Sequence, residues 1–128
     1  MTEALVDISP TEIVLDIPTP PSVNVTRRHN SVGWAKLEQW KVAADKALMA
    51  SGQYRAARRG PPLGAFEIEI TLDVTCRLDL DNPIKSAIDY LRRIELIRDD
   101  SQKYLRKLTV TWGYAPAGAR IVLREART

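Results

Sequence analysis

Residues 66 to 76, Phe-Glu-Ile-Glu-Ile-Thr-Leu-Asp-Val-Thr-Cys, alternate without a break. Phe66, Ile68, Ile70, Leu72, Val74 and Cys76 fall on one side, and Glu67, Glu69, Thr71, Asp73 and Thr75 on the other. That period of two is the mark of a half-buried β-strand. Arg77-Leu78-Asp79-Leu80-Asp81-Asn82-Pro83-Ile84-Lys85 follows directly. If the extended backbone continues, Asp79 and Asp81 emerge on one polar face with α-carbons roughly 6.5 Å apart, a spacing that lets both carboxylates converge on one hard divalent cation. Asn82-Pro83 then reads as a helix start, with Asn82 as N-cap and Pro83 in the first helical position. Offsets of three and four give that helix a buried face of Ile84, Ala87, Ile88, Leu91 and Ile94. The acids therefore sit where a strand ends and a helix begins.

Lys85 lies in the first turn of the helix, where the dipole disfavours a cation. Two readings stand. The lysine pairs with Asp89 four residues on, as solvated helix lysines do, or it is held beside a carboxylate site to meet a phosphate. With Asp79 and Asp81 beside it, the second is preferred. Asp99-Asp100 comes just before the next strand, and if that strand pairs with the central one, at least one of the two acids approaches Asp79 and Asp81. Three carboxylates plus waters suit magnesium, whose chemistry includes polarising a phosphoryl group and activating a water.

Length and composition bound the reading. A chain of 128 residues suits one domain, residues 1–128. Apolar residues make up 45% and charged ones 27%, as in ordinary globular proteins. No apolar run approaches the roughly 20 residues that span a bilayer, and no secretory signal pattern opens the chain, so a cytoplasmic protein without a membrane partner is expected. The single cysteine, Cys76, excludes an intramolecular disulfide and reads as a small buried hydrophobe. The net charge is only +3, and the basic residues gather in clusters: Arg27-Arg28-His29; Arg55, Arg58 and Arg59; Arg92-Arg93; Lys103, Arg106 and Lys107; and Arg120, Arg124 and Arg127. Such clusters suit phosphate backbones, and Arg27, Arg28, Arg55, Arg58 and Arg59 are the candidate DNA contacts.

Outward from the central stretch, residues 11 to 17 read as a strand with Ile13, Leu15 and Ile17 inward, stopped by the prolines at 18, 20 and 21. A long helix is expected from Ser31 or Gly33 to Ser51-Gly52, burying Leu37, Trp40, Ala44, Ala47 and Leu48, with Trp34 and Trp40 as core. Residues 53 to 64 read as a basic linker, a candidate DNA-touching loop or else a solubilising surface connection. Tyr104 to Tyr114 alternates as a strand, Ala115 to Ala119 reads as a hairpin turn, and Arg120 to Glu125 returns as the last strand. The order β-α-β-α-β-β gives an α+β (mixed α/β) single domain, a small mixed sheet with two main helices covering mainly one face.

The conjunction Asp-x-Asp-Asn-x-x-Lys with a later Asp-Asp is far more specific than either half. A haloacid-dehalogenase-type phosphatase is excluded, because Pro83 stands where that class needs Thr or Val and only one helix fits between Asp81 and Asp99. The chain resembles the RusA family of Holliday-junction resolvases, through Pro-Pro-Ser-Val-Asn (20 to 24), Asp-Leu-Asp-Asn-Pro-Ile-Lys (79 to 85) and Leu-Ile-Arg-Asp-Asp-Ser-Gln (96 to 102). With the element order, the resemblance spans about residues 10 to 125. It implies that Asp79, Asp81 and Asp100 are catalytic and hold Mg2+ (Mn2+ a possible substitute), that Lys85 is the essential lysine, and that Asp99 is the less certain member of its pair. It further implies a homodimer that places paired symmetric nicks in four-way junction DNA during recombination and repair. Leu78, not an aromatic, precedes Asp79, so any opening of the junction by an inserted aromatic must be achieved otherwise. The alternative is a non-cleaving nucleic-acid-binding accessory of the same fold.

Overall fold

The computed structural model describes residues 12–21, 31–58, 60–81 and 83–126, the side chains of 31–34 excepted. Seven elements follow in order: β1 (Ile13–Ile17), α1 (Ser31–Ser51), α2 (Gln53–Ala57), β2 (Phe66–Asp73), α3 (Ile84–Arg93), β3 (Leu105–Gly113) and β4 (Ala119–Glu125). The four strands form one mixed sheet in the order β1-β4-β2-β3, so the domain is α+β as expected.

The alternation in β2 does what its period requires. Phe66, Ile68, Ile70 and Leu72 are buried, and Glu67, Glu69, Thr71 and Asp73 are half-buried on the opposite face. Those four side chains share a core with Leu15, Ile17, Ile121 and Leu123 from the flanking strands, with Trp40, Ala44 and Leu48 of α1, and with Ala87, Ile88, Tyr90 and Leu91 of α3. Each large side chain so enclosed contributes about 1.5–3 kcal/mol. The other face is polar: Arg120 bridges to Asp16 at 2.8 Å, and Arg124 reaches Glu12 at 3.1 Å and Glu69 at 3.6 Å.

α1 has the expected bounds, and Gly52, with φ of 78°, ends it in a left-handed turn. Trp40 is core and donates its indole N–H to the Pro18 carbonyl at 3.0 Å; the Trp34 side chain lies outside the described residues.

Four expectations are corrected. The alternation does not carry the strand to Cys76: β2 ends at Asp73, where residues 74 and 75 turn, leaving Val74 exposed and Cys76 half-buried in the following loop. Asp73 enforces the stop, because its carboxylate accepts the backbone N–H groups of Thr75 and Ala115. The basic linker begins as helix α2, whose Gln53 side chain accepts the Asp16 N–H at 2.7 Å and donates to the Asp16 carboxylate at 2.9 Å. Pro83 is the N-cap of α3 and not its first helical residue, with φ of −85° compatible with its ring; Asn82 lies outside the described residues. Finally, β3 and β4 are not a hairpin. β4 lies between β1 and β2, so residues 114–118 carry the chain across the end of β2, held by the Asp73 N–H donating to the Gly118 carbonyl.

Candidate active site

The burial pattern survives where the strand does not. Leu78 and Leu80 tuck partly inward while Asp79 and Asp81 stand exposed, so both acids share one wet side of the loop between β2 and α3. Among the described residues neither carboxylate makes a hydrogen bond or ion pair. The loop ends at Pro83, and α3 then buries Ile84, Ala87, Ile88 and Leu91, which fixes the angle at which its opposite face is presented.

That opposite face carries Lys85, Asp89 and Arg92 at helical offsets of four and seven. Lys85 Nζ lies 3.2 Å from the Asp89 carboxylate, the i, i+4 pairing read from the sequence, and 3.1 Å from that of Asp100. Arg92 Nη1 stands 3.5 Å from Asp100 and 3.7 Å from Asp99. Lys85, Asp89, Arg92 and Arg93 line an open groove of about 480 Å³. Hydrogen bonding to Asp100 first, and to Asp89 second, raises the Lys85 ammonium above its ordinary value. Burial pushes the Asp100 carboxyl up, but the Lys85 hydrogen bond and the Lys85 and Arg92 charges more than reverse this, so it ionises below the usual carboxylate range.

β3 does pair with β2, and in parallel, with Phe66 opposite Leu105 and Asp73 opposite Gly113. The Asp99-Asp100 segment therefore enters the sheet at the end opposite the one from which the Asp79-Asp81 loop departs, seven residue steps or about 23 Å along β2. Lys85 is what joins the two motifs. Among the described residues no three His, Cys, Asp or Glu side chains are grouped so as to hold a metal ion. The donor set of Asp79, Asp81 and Asp100 is all oxygen and fits magnesium chemically. Its arrangement does not gather the three, because Asp100 is held between two cations instead.

Of the candidate DNA contacts, Arg27, Arg28 and Arg59 lie outside the described residues. Arg55 is exposed on α2. Arg58 donates to the Tyr54 hydroxyl and reaches Glu95 at 3.3 Å, on the rim of a second cavity that shares Arg93 with the Lys85 groove. Arg92 is the site residue that the sequence reading placed only in a basic cluster; the i, i+4, i+7 spacing of Lys85, Asp89 and Arg92 is the signal that finds it. No helix of the described residues is long and apolar enough to cross a membrane. Compared with protein-family models and with curated proteins, the chain matches none.

Proposed function

We propose that this chain is a structure-selective DNA endonuclease that resolves four-way junctions by paired nicks, working as a homodimer with Mg2+, for which Mn2+ can substitute. The observation that carries the reading is the 3.1 Å contact between Lys85 and Asp100, which ties the Asp-x-Asp-Asn-x-x-Lys motif to the Asp-Asp motif beside two exposed carboxylates with no partner among the described residues. Asp79, Asp81 and Asp100 would hold the cation. When bound, it would supply Lewis-acid polarisation of the phosphodiester and a lowered pKa for the attacking water. Lys85, on the exposed face of α3, would contact the scissile phosphate and stabilise the charge that develops on it. Arg92, Arg93, Arg55 and Arg58 supply sequence-independent backbone contacts.

One observation favours the second reading, a non-cleaving junction-binding accessory: the three carboxylates are not gathered, and Asp100 is already neutralised by Lys85 and Arg92. Incubation with a synthetic four-way junction, with linear duplex as competitor and with or without magnesium, separates the two. The expected result is symmetric nicking that needs the ion and disappears in Asp81→Asn, while gel-shift binding stays equal or tightens because a negative charge facing DNA is lost. Full cleavage in excess chelator, or near wild-type cutting by Asp81→Asn, overturns the assignment.

A further inference from the structure

The two edges of the sheet are treated differently. At β1, α2 covers the edge, and Gln53 takes up the outward N–H of Asp16. At β3, among the described residues, no strand pairs with the second edge. That edge is nine residues long, and from Leu108 to Trp112 it lacks the charge that usually blunts an edge. Leu108 and Trp112 are 44% and 43% exposed, and Tyr114 just beyond is 84% exposed. By register Leu108, Val110 and Trp112 continue the face on which Ile68, Ile70 and Leu72 are fully buried. The core face thus runs past the last helix into solvent. The charges of the strand, Arg106 and Lys107, sit at one end only.

We propose that a second copy of this chain joins here, β3 against β3 in antiparallel pairing about a two-fold axis at Val110, making one continuous sheet. Val74 donates its N–H to the Gly113 carbonyl at 3.0 Å, so Gly113 turns toward β2. In a parallel ladder alternate residues do the same, which leaves Leu108, Val110 and Trp112 with their N–H and C=O groups aimed at the open edge. A partner aligned on Val110 takes up these groups. It sets Leu108 against the partner's Trp112, Val110 against the partner's Val110, and Thr109 against the partner's Thr111. Apolar meets apolar on one face and hydroxyl meets hydroxyl on the other.

Charge selects the same arrangement. Lys107 comes opposite the partner's Gly113, and Arg106, the residue at the β-bulge, reaches the end where the partner's Tyr114 offers an exposed ring. The two copies of Lys107 stand six residue steps apart, about 20 Å and well beyond the screening length of about 8 Å at physiological salt. Parallel pairing would set them side by side. Gly113 is also the ladder neighbour of Asp73, from which the loop bearing Asp79 and Asp81 departs. The basic end of one β3 therefore meets the end of the partner's sheet from which that loop departs, and the loop gains cations nearby. That gain for the site rests on the endonuclease reading; the interface itself does not.

The test reads oligomeric state. Light scattering of the full chain at high micromolar concentration is expected to give twice the chain mass. Val110→Lys places two ammonium groups on the axis and is expected to halve it, with far-UV circular dichroism unchanged. Residues on the axis lie about 5.5 Å apart across a hydrogen-bonded antiparallel pair, within disulfide range. Oxidised Cys76→Ser/Val110→Cys is therefore expected to run as a covalent dimer, and Cys76→Ser/Lys107→Cys as a monomer; this pair decides the matter even where Val110→Lys fails to fold. A monomeric wild type, a dimer that survives Val110→Lys, or cross-linking through position 107 and not 110 overturns the proposal. So does a monomer whose β3 amides lose hydrogen-exchange protection when residues 1–11 are removed, since the chain's own N-terminal residues would then be the occupant. Junction cleavage is read separately: a dimer that does not cut leaves the interface standing and removes the endonuclease reading, and a monomer that cuts does the reverse.

Discussion

Tyr90→Phe isolates one hydroxyl at the joint between the two long helices. Tyr90 is 1% exposed, its ring meets Trp40 edge-on at 5.1 Å and 67°, and its hydroxyl donates to the Asp45 carboxylate at 2.6 Å. Phenylalanine keeps the ring, its volume and the Trp40 contact, so only the O–H···O bond is lost. A hydrogen bond to a charged group is worth about 1.5–3 kcal/mol. Asp45 also lines a cavity of about 250 Å³ with Met49, Tyr54, Arg58, Arg93 and Ile94, so water replaces the lost donor and the lower end applies. With an unfolding entropy of about 2.1 cal/mol/K per residue, a loss of about 1.5 kcal/mol lowers Tm by about 5–6 °C. The assay is thermal unfolding of the wild type, Tyr90→Phe, Asp45→Ala and the double variant. The double variant should fall short of the summed losses by about 1 kcal/mol, because each single change removes the same bond. A Tm shift under about 1 °C, or strict additivity, refutes the reasoning. Burial first, and the Asp45 hydrogen bond second, hold the Tyr90 hydroxyl far above its ordinary ionisation range. The folded state thus favours the protonated form, whose stabilisation is complete below about pH 10 and is lost as pH rises beyond it.

Two further outcomes follow from local geometry. A β-carbon at Gly118, where φ is 132°, would clash with the Thr19 backbone nitrogen and lie 2.9 Å from the Pro18 carbonyl carbon, so Gly118→Ala should cost about 3 kcal/mol or more in urea unfolding. Gly52→Ala, at φ of 78° with nothing within 4 Å, should cost only about 1–2 kcal/mol, and equal losses at the two sites would contradict the clash. For Lys85 and Asp100 the signs oppose: the raised ammonium stabilises below about pH 10.4 and loses that as pH rises through its folded value, whereas the lowered carboxyl stabilises above about pH 3.9 and loses that as pH falls. Asp100→Asn should flatten stability at both extremes while costing under about 1 kcal/mol at neutral pH, since the pair is solvent-screened; urea midpoints across pH check it.

The parts of the fold that were legible in the sequence are those where a single period dominates. The alternation of Phe66 to Leu72 and the three-four spacing of Ile84 to Leu91 each admit one element and one buried face, and both are as read. α2 escaped notice because five residues without an apolar stripe carry no period, and it is held by Gln53 reaching a strand far away in sequence. Ala115 to Ala119 was misread for a different reason: turn chemistry announces that the chain reverses, not which strand lies alongside afterwards. Asp73, whose carboxylate and N–H hold the two ends of that crossing, looked like one more polar residue of a strand. At the candidate site the acidic and basic residue types were legible and their pairing was not, because the contacts of Lys85 and Arg92 with Asp100 join a helix to the segment after it, which no local period records.

The placement of β4 between β1 and β2 also bears on how the chain is made. Leu15 pairs with Ile121, and Ile70 with the same residue from the other side. During synthesis the first strand therefore has no ladder partner until almost the whole described chain has emerged, and β2 and β3 must wait with one flank of β2 open. Such long sequence separations make for slow closure and a late, cooperative final step. A chain cut near residue 115 would present an unfinished sheet, with β1 lacking its ladder partner and one flank of β2 open, which is the kind of surface that holding chaperones grip.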